Sequence, residues 1–411
     1  MKTSINLERM ITLDVIALDV SNGRSYVVHY SDNKCLFEGW MIHNQEGLNG
    51  LLARAQLCQT VPEIVLEATG VYSRVIERFC QDHHFDYYLL NPLEARKQTD
   101  SLRVNKTDKS DAHKLALTHY FMERKKKVGI DKEYQEMTTL SRWYESNEKA
   151  IKYARNQLHA FLTLSFPELE SYFSSVASEY ALEMIQLFPR PGSLLSFSRT
   201  KVKNLIYKNT KKNISQTKAL LEAESILTIA KDAYPAVDND SLETFLVIDW
   251  ASKLQQLVRQ KKEIQKKLID RAQSFKEFYV YTTFSGGGEL TSALLIAELG
   301  DITRFDDHKQ LNAFVGIDIR RFQSGDSPNY DKISKRGNTL ARKTLYLVIT
   351  NMIRSQTSGP NHIVDYYYRA KKQPHAKKHK VVLIGCMDRF LKSIHYLVLH
   401  GKLYDYDLSP K

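Results

Sequence analysis

The stretch KTDKSDAHKLA, residues 106–116, sets Asp108 and Asp111 three positions apart in a segment that otherwise reads as the start of a helix. At about 3.6 residues per turn the two carboxylates share one helical face and repel each other. Lysines at 106, 109 and 114 would leave the pair as an ordinary solvated first turn. A divalent ion would instead make it half of a metal site, holding Mg2+ beside a phosphodiester. Further carboxylates decide between these readings. Asp19 ends the apolar run IALD just before a turn, and Glu67 ends VLE before ATG. Asp14 and Glu63 precede them by a few residues and lack a turn that would expose them at a strand end, so Asp19 and Glu67 are preferred. The ordered set is then Asp19, Glu67, Asp108 and Asp111: first strand, later strand, and a helix after the sheet.

The elements around these residues must bring them together. VIALDVSNGRSYVVHYSDNKCLFEGW carries β-branched and aromatic residues on both sides of Asn22-Gly23, a strong hairpin signal. EIVLEATG reads as a buried strand, VYSRVIERFCQDH as an amphipathic helix, and FDYYLLN as another strand stopped at Asn91-Pro92. Strands followed by alternating helix and strand predict an α/β domain over roughly the first 120 residues. From Tyr134 the texture changes. Met137, Leu140, Tyr144, Ile151, Ala154, Leu158 and Phe161 form one heptad stripe, and Val247, Trp250, Leu254, Leu257, Ile264, Leu268 and Phe275 a second. The two could pair as an antiparallel coiled coil or sit in a bundle as plain core-facing helices. Residues 165–240, broken by Pro189, Pro191 and Gly192, carry no assignable chemistry.

Near the C-terminal end, SGGGELTSALLIAELG places three glycines before a helix. That form suits either a simple capping loop or a helix-hairpin-helix turn offering backbone N–H groups to phosphate. SKRGNTLARKTLYLVITNMI is basic at its front, where Lys335, Arg336, Arg342 and Lys343 could contact a phosphate backbone or form a solvated helix end.

Composition narrows the partners. With 59 Lys and Arg against 47 Asp and Glu over 411 residues, the chain carries +12, a balance that favours a polyanion and nucleic acid first. The length divides into two or three domains. Cys35, Cys58, Cys80 and Cys386 form no C-x-x-C pair, which fits a reducing cytoplasm. Asp14 and Asp19 break the apolar run from Ile11 to Val20, which is therefore a poor signal peptide and a poor membrane span. A cytoplasmic protein with no membrane partner, associated with the nucleoid when bound to DNA, is expected.

Six blocks occur in the order seen in the DEDD transposases of bridge-RNA-guided insertion sequences, a family that includes the Piv-type DNA invertases. They are IALDVSNGRSYVVHY, LEATGVYSRVIERF, LLNPLEARKQTDSLRVNKTDKSDAHKLA, GGGELTSALLIAELGDITRFDDHKQLNAFVGIDIRRFQSG, ISKRGNTLARKTLY and VVLIGCMDRFLKSIHYLVLHGKLYD. The resemblance implies an α/β plus α architecture. Residues 1–130 would form an RNase H-like (RuvC-like) domain, 131–280 a helical coiled-coil region, and 281–411 a mainly helical transposase domain with a helix-hairpin-helix-like element and a nucleophilic serine. In VGIDIRRFQSGDS the residue matching that serine is Ser324. Asp318 and Ile319 stand where the family usually has Ala-Pro, and FSGGGE replaces the more common Pro-Gly-x-Gly-Pro.

The activity implied is that of a DNA recombinase. Ser324 would form a phosphoserine bond with DNA, assisted by Mg2+ on Asp19, Glu67, Asp108 and Asp111, and Arg320 and Arg321 could clamp the scissile phosphate. The resemblance further implies a structured noncoding guide RNA that selects element ends and target by base pairing, and a dimer that pairs into a tetramer. Two other readings stand beside it: a junction-resolving nuclease that uses water and Mg2+, and a nucleic-acid-binding scaffold without catalysis.

Overall fold

The computed structural model describes residues 13–90, 107–122, 124, 126, 131–238, 240–320, 332–372, 374 and 376–408. The chain forms two compact units, residues 1–129 and 130–411.

The first unit is built on a five-stranded sheet. Strands β1 (Asp14–Ser21), β2 (Arg24–Ser31) and β3 (Lys34–Ile42) form an antiparallel meander, helix α1 (Gln45–Gln56) follows, and β4 (Glu63–Glu67) returns parallel to β1. Helix α2 (Arg74–Asp82) leads to β5 (Tyr87–Leu90), parallel to β4, giving the order β3-β2-β1-β4-β5. The Asn22-Gly23 turn forms as expected, with Gly23 at φ +73°. A second tight turn, not foreseen, joins β2 to β3 through Asp32 and Asn33, both in the left-handed region at φ 45° and 65°. Two consecutive residues with positive φ match the right-handed twist of the flanking strands, and Asx side chains tolerate that backbone best after glycine.

Alternation along β1 and β4 sorts their residues onto two faces. Ile16, Leu18, Ile64 and Leu66 pack with Leu51 and Ala55 of α1 and Ile76 and Phe79 of α2. Val15, Ala17 and Val65 meet Ala112, Leu115 and Ala116 of helix α3 (Asp108–Phe121) on the opposite face. Asp19 and Glu67 share the parity of that second set, so both lie on the α3 side of the sheet.

The second unit is helical. Helices α4 (Lys132–Ser165) and α10 (Leu242–Ala272) run antiparallel, as the pairs Glu136–Arg271, Asn147–Gln260 and Glu148–Lys261 require. Asn147 is only 4% exposed and donates to Gln260 at 2.7 Å, a buried polar contact that fixes the register of the two helices. Between them α5 (Pro167–Tyr172), α6 (Glu179–Leu187), α7 (Pro191–Leu195), α8 (Arg199–Asn209) and α9 (Gln216–Asp232) close one core around Leu158, Ile185, Ile226 and Leu254. At the other end of the pair Met137, Ile264 and Leu268 share a core with α11 (Lys276–Thr282), α12 (Glu289–Leu299), α13 (His308–Val315), α14 (Thr339–Arg354), α15 (His362–Lys371) and α16 (His379–Leu399). No helix among the described residues is long and apolar enough to cross a membrane.

Candidate metal centre and nucleic-acid interface

Register places the first two carboxylates. Leu18 of β1 lies beside Leu66 of β4 in a parallel pair, and one step further along both strands are Asp19 and Glu67. They are neighbours at the C-terminal ends of their strands, half-buried, and each is engaged in polar or electrostatic contact.

Helix α3 brings the other two. Its C-terminal half is tied to the opposite end of the sheet: His119 Nε2 lies 2.5 Å from Glu63 at the start of β4, and the Tyr120 hydroxyl donates to the Leu13 carbonyl, just before β1, at 2.8 Å. The helix therefore runs back along the sheet, and its first turn, with Asp108 and Asp111, faces the end where Asp19 and Glu67 sit. Thr107 and Ser110 fix that first turn in a reciprocal capping box: Thr107 Oγ1 accepts from Ser110 N at 3.1 Å, and Ser110 Oγ accepts from Thr107 N at 3.2 Å. Asp108 is exposed and Asp111 half-buried, with Lys114 Nζ 3.9 Å from Asp111. On the same helix Lys109 and His113 both bind Glu38 of β3, the latter at 2.7 Å. Those two hydrogen bonds hold the Glu38 carboxyl below its ordinary pKa.

The competing carboxylates have structural partners at the far end. Asp14 is 2% exposed, and its Oδ2 accepts from Gln59 N at 3.1 Å and Thr60 N at 3.3 Å. Glu63 accepts from the Tyr88 hydroxyl at 2.9 Å, and burial together with that carboxylate raises the Tyr88 pKa to about 12.

Asp19, Glu67, Asp108 and Asp111 share one end and one face of the sheet. Among the described residues, no three of them bring ligand oxygens within 4.8 Å of one another. An all-oxygen set spread over a partly open sheet end fits Mg2+, which keeps several waters and is held by one or two carboxylates plus substrate phosphates rather than by a closed protein cage.

In the second unit, Gly316 caps α13 at φ +79°, where a Cβ would fall 2.2 Å from the Arg336 carbonyl. Strand β6 (Ile319–Arg320) then pairs with β7 (Lys332–Ile333). These strands bracket residues 321–331, so Ser324 and Arg321 lie outside the described residues, as does the Arg320 side chain. Lys335 and Arg336 are exposed, and Lys335 holds φ +53° with its N–H on Gly316 O at 3.0 Å. Arg342 donates to Val315 O at 2.7 Å and Lys343 pairs with Glu145 at 2.7 Å. A cavity of about 1040 Å³ opens here, lined by Ile317, Ile333, Lys343, Tyr346, Tyr366 and Lys380. The glycine stretch forms a tight loop between α11 and α12. A Cβ on Gly286, at φ +85°, would meet Met352 Cα at 2.6 Å, and Gly288 supplies the N-cap of α12.

The first unit is a mixed sheet whose strand order and sense are consistent with an RNase H-like domain, followed in the chain by a helical unit. A family model for the DEDD domain of IS110 transposases, described as Transposase, matches residues 16–167, and one described as Transposase IS116/IS110/IS902 family matches residues 280–364, together more than half of the chain. The chain belongs to this IS110-type transposase family. Over 60 residues it is 42% identical to the transposase for insertion sequence element IS1111A of Coxiella burnetii (strain RSA 493 / Nine Mile phase I). That match spans 15% of this chain and 16% of the relative's length.

Proposed function

We propose that the chain is a DNA transposase that cuts and rejoins strands of a mobile element and its target. The observation that carries this reading is the run of α3 back along the sheet, which brings the first-turn carboxylates Asp108 and Asp111 to the strand ends of Asp19 and Glu67. The family match supports it. In this reading the four carboxylates hold Mg2+; when bound, the ion neutralises charge on the scissile phosphodiester and eases deprotonation of an attacking hydroxyl.

Ser324 supplies that hydroxyl. Its Oγ gives up its proton and bonds to phosphorus as the bond from phosphorus to one deoxyribose oxygen breaks, the leaving oxygen takes a proton, and the strand stays on the protein as a phosphoserine ester. Attack by the hydroxyl of the partner strand then releases Ser324. Arg320 and Arg321 hold the phosphate. Lys335 and Arg336 track the DNA backbone, and the hairpin of α11 and α12 offers backbone N–H groups to phosphate as a helix-hairpin-helix-like element. A structured guide RNA selects the two DNAs by pairing, and the protein works as a dimer that joins a second dimer, since two duplexes must be cut.

A substrate nicked so that rejoining stalls tests the nucleophile. The expected result is DNA attached to wild-type protein, resistant to denaturant and mapping by peptide mass to Ser324, with adduct and cleavage both lost in Ser324→Ala. Cleavage that persists in Ser324→Ala without any adduct would establish the water-using nuclease instead.

A further inference from the structure

At the end of the sheet opposite the carboxylates of α3, Asp14 of β1, His29 of β2 and Cys58, just after α1, bring one ligand atom each within 4.8 Å of the others. Both the Asp14 Oδ1 and the Cys58 Sγ approach the same nitrogen, His29 Nε2, at 3.3 and 3.4 Å. The sulfur contact is an ordinary hydrogen-bond distance, and Cys58 Sγ also reaches the Arg54 carbonyl at 3.5 Å, but the Asp14–His29 contact is long for a charge-assisted pair. A histidine and carboxylate in direct charge-assisted contact close to about 2.7–2.9 Å, as the more exposed pairs His113–Glu38 and His159–Glu170 do at 2.7 and 2.8 Å, and the buried His119 lies 2.5 Å from Glu63. The spacing at His29 also suits ligands around a common ion. Metal–oxygen and metal–nitrogen bonds of about 2.0–2.1 Å and a metal–sulfur bond of about 2.3 Å, set at tetrahedral angles, put N and O about 3.3 Å apart and N and S about 3.5 Å apart.

The surroundings are those of a built site. Asp14 and His29 are buried, at 2% and 4% exposure. The second oxygen of Asp14 is occupied by Gln59 N, Thr60 N and Thr60 Oγ1, and the Ser31 side chain also hydrogen-bonds the carboxylate, which fixes it with Oδ1 against His29. Cys58 is half-exposed and gives the ion a way in.

We infer that Asp14, His29 and Cys58 form a zinc site of three protein ligands, with a fourth position left to water. The mixed oxygen, nitrogen and sulfur set suits Zn2+ rather than Mg2+, so the site is separate in chemistry as well as in place from the proposed Mg2+ centre. It ties β1 and β2 to the loop over residues 57–62 that leads into β4, bracing the strand on which Glu67 stands.

The test uses the full chain, stripped with chelator under reducing conditions, reloaded with Zn2+, desalted, and assayed for metal by mass spectrometry. Wild type, Cys35→Ala and Asp111→Asn should each keep about one zinc per chain, and Cys58→Ala should keep none while retaining its circular dichroism spectrum. Wild type reloaded with Co2+ should show a thiolate-to-cobalt charge-transfer band, a readout that does not depend on any variant folding. A wild type that keeps no zinc and shows no such band overturns the site. So does zinc retained equally by Cys58→Ala, or zinc lost from Cys35→Ala, which would move it to the Cys35, Glu38 and His113 cluster.

Discussion

Asp111 and Glu63 are both carboxylates of the first unit with a cation or histidine close by, at 3.9 and 2.5 Å, yet they should fail in different ways. Asp111 stands in the first turn of α3 at the end shared with Asp19 and Glu67, so Asp111→Asn removes a proposed metal ligand. Cleavage should fall by at least about 100-fold, the upper end of what losing even a supporting partner of a metal site costs. Nucleic-acid binding should stay within a few fold, and Asp108→Asn should behave alike. Normal cleavage by both variants at limiting Mg2+ would remove the metal centre from these residues. Glu63 accepts from Tyr88 and His119 at the far end of the sheet. Glu63→Gln should cost about 1–3 kcal/mol of stability by leaving those donors poorly matched, seen as a lower Tm, while protein that remains folded cleaves at the wild-type rate. A large rate loss at unchanged Tm would place Glu63, not Glu67, in the reaction.

At the scale of elements, α3 is the part on which the proposal turns, and its cap is its weak point. Thr107→Ala removes half of the capping box and should cost about 1 kcal/mol. The first turn that frays is the one carrying Asp108 and Asp111, so the Mg2+ concentration needed for half-maximal cleavage should rise more than that stability loss predicts, and Thr107→Ser should restore it. An unchanged Mg2+ requirement in Thr107→Ala would separate the cap from the chemistry. How much of this could be read from sequence depended on local signals. Asn22-Gly23 announces its turn because both residues favour it, and the stripes of α4 and α10 announce two long helices because burial recurs at three and four residues: Met137, Leu158, Leu254 and Ile264 are all buried. Strand β3 was hidden, since Leu36, Trp40 and Ile42 on its exposed face are as apolar as Phe37 and Met41 on its core face, so no polar–apolar alternation marks it. Helix α1 was hidden by Gly47 and Gly50, which weaken helix propensity. Clusters such as Asp14, His29 and Cys58 join positions far apart in sequence, so no spacing rule reaches them. The carboxylates were legible in order, but their common end of the sheet follows only from the direction of α3.

For the whole molecule, a charge of +12 says that a polyanion is attracted without saying which cations meet it. The structure divides the four basic residues around the front of α14 into two pairs. Lys335 and Arg336 are exposed in the turn before the helix, whereas Arg342 is spent on the Val315 carbonyl and Lys343 on Glu145. A cation that neutralises a DNA phosphate releases counterions and adds about 0.9 to the slope of log affinity against log salt. Lys335→Gln and Arg336→Gln should therefore each lower that slope by about one unit, similarly on every DNA sequence. Lys343→Gln should change it less, because Glu145 already screens the ammonium. Arg342→Gln should act on stability, since the Val315 carbonyl loses a donor next to Gly316, where the backbone has little freedom to find another. Binding titrations over a range of salt, with a melting curve for each variant, separate these outcomes. An unchanged slope in both Lys335→Gln and Arg336→Gln would return the turn to a solvated surface and move the DNA path elsewhere on the helical unit.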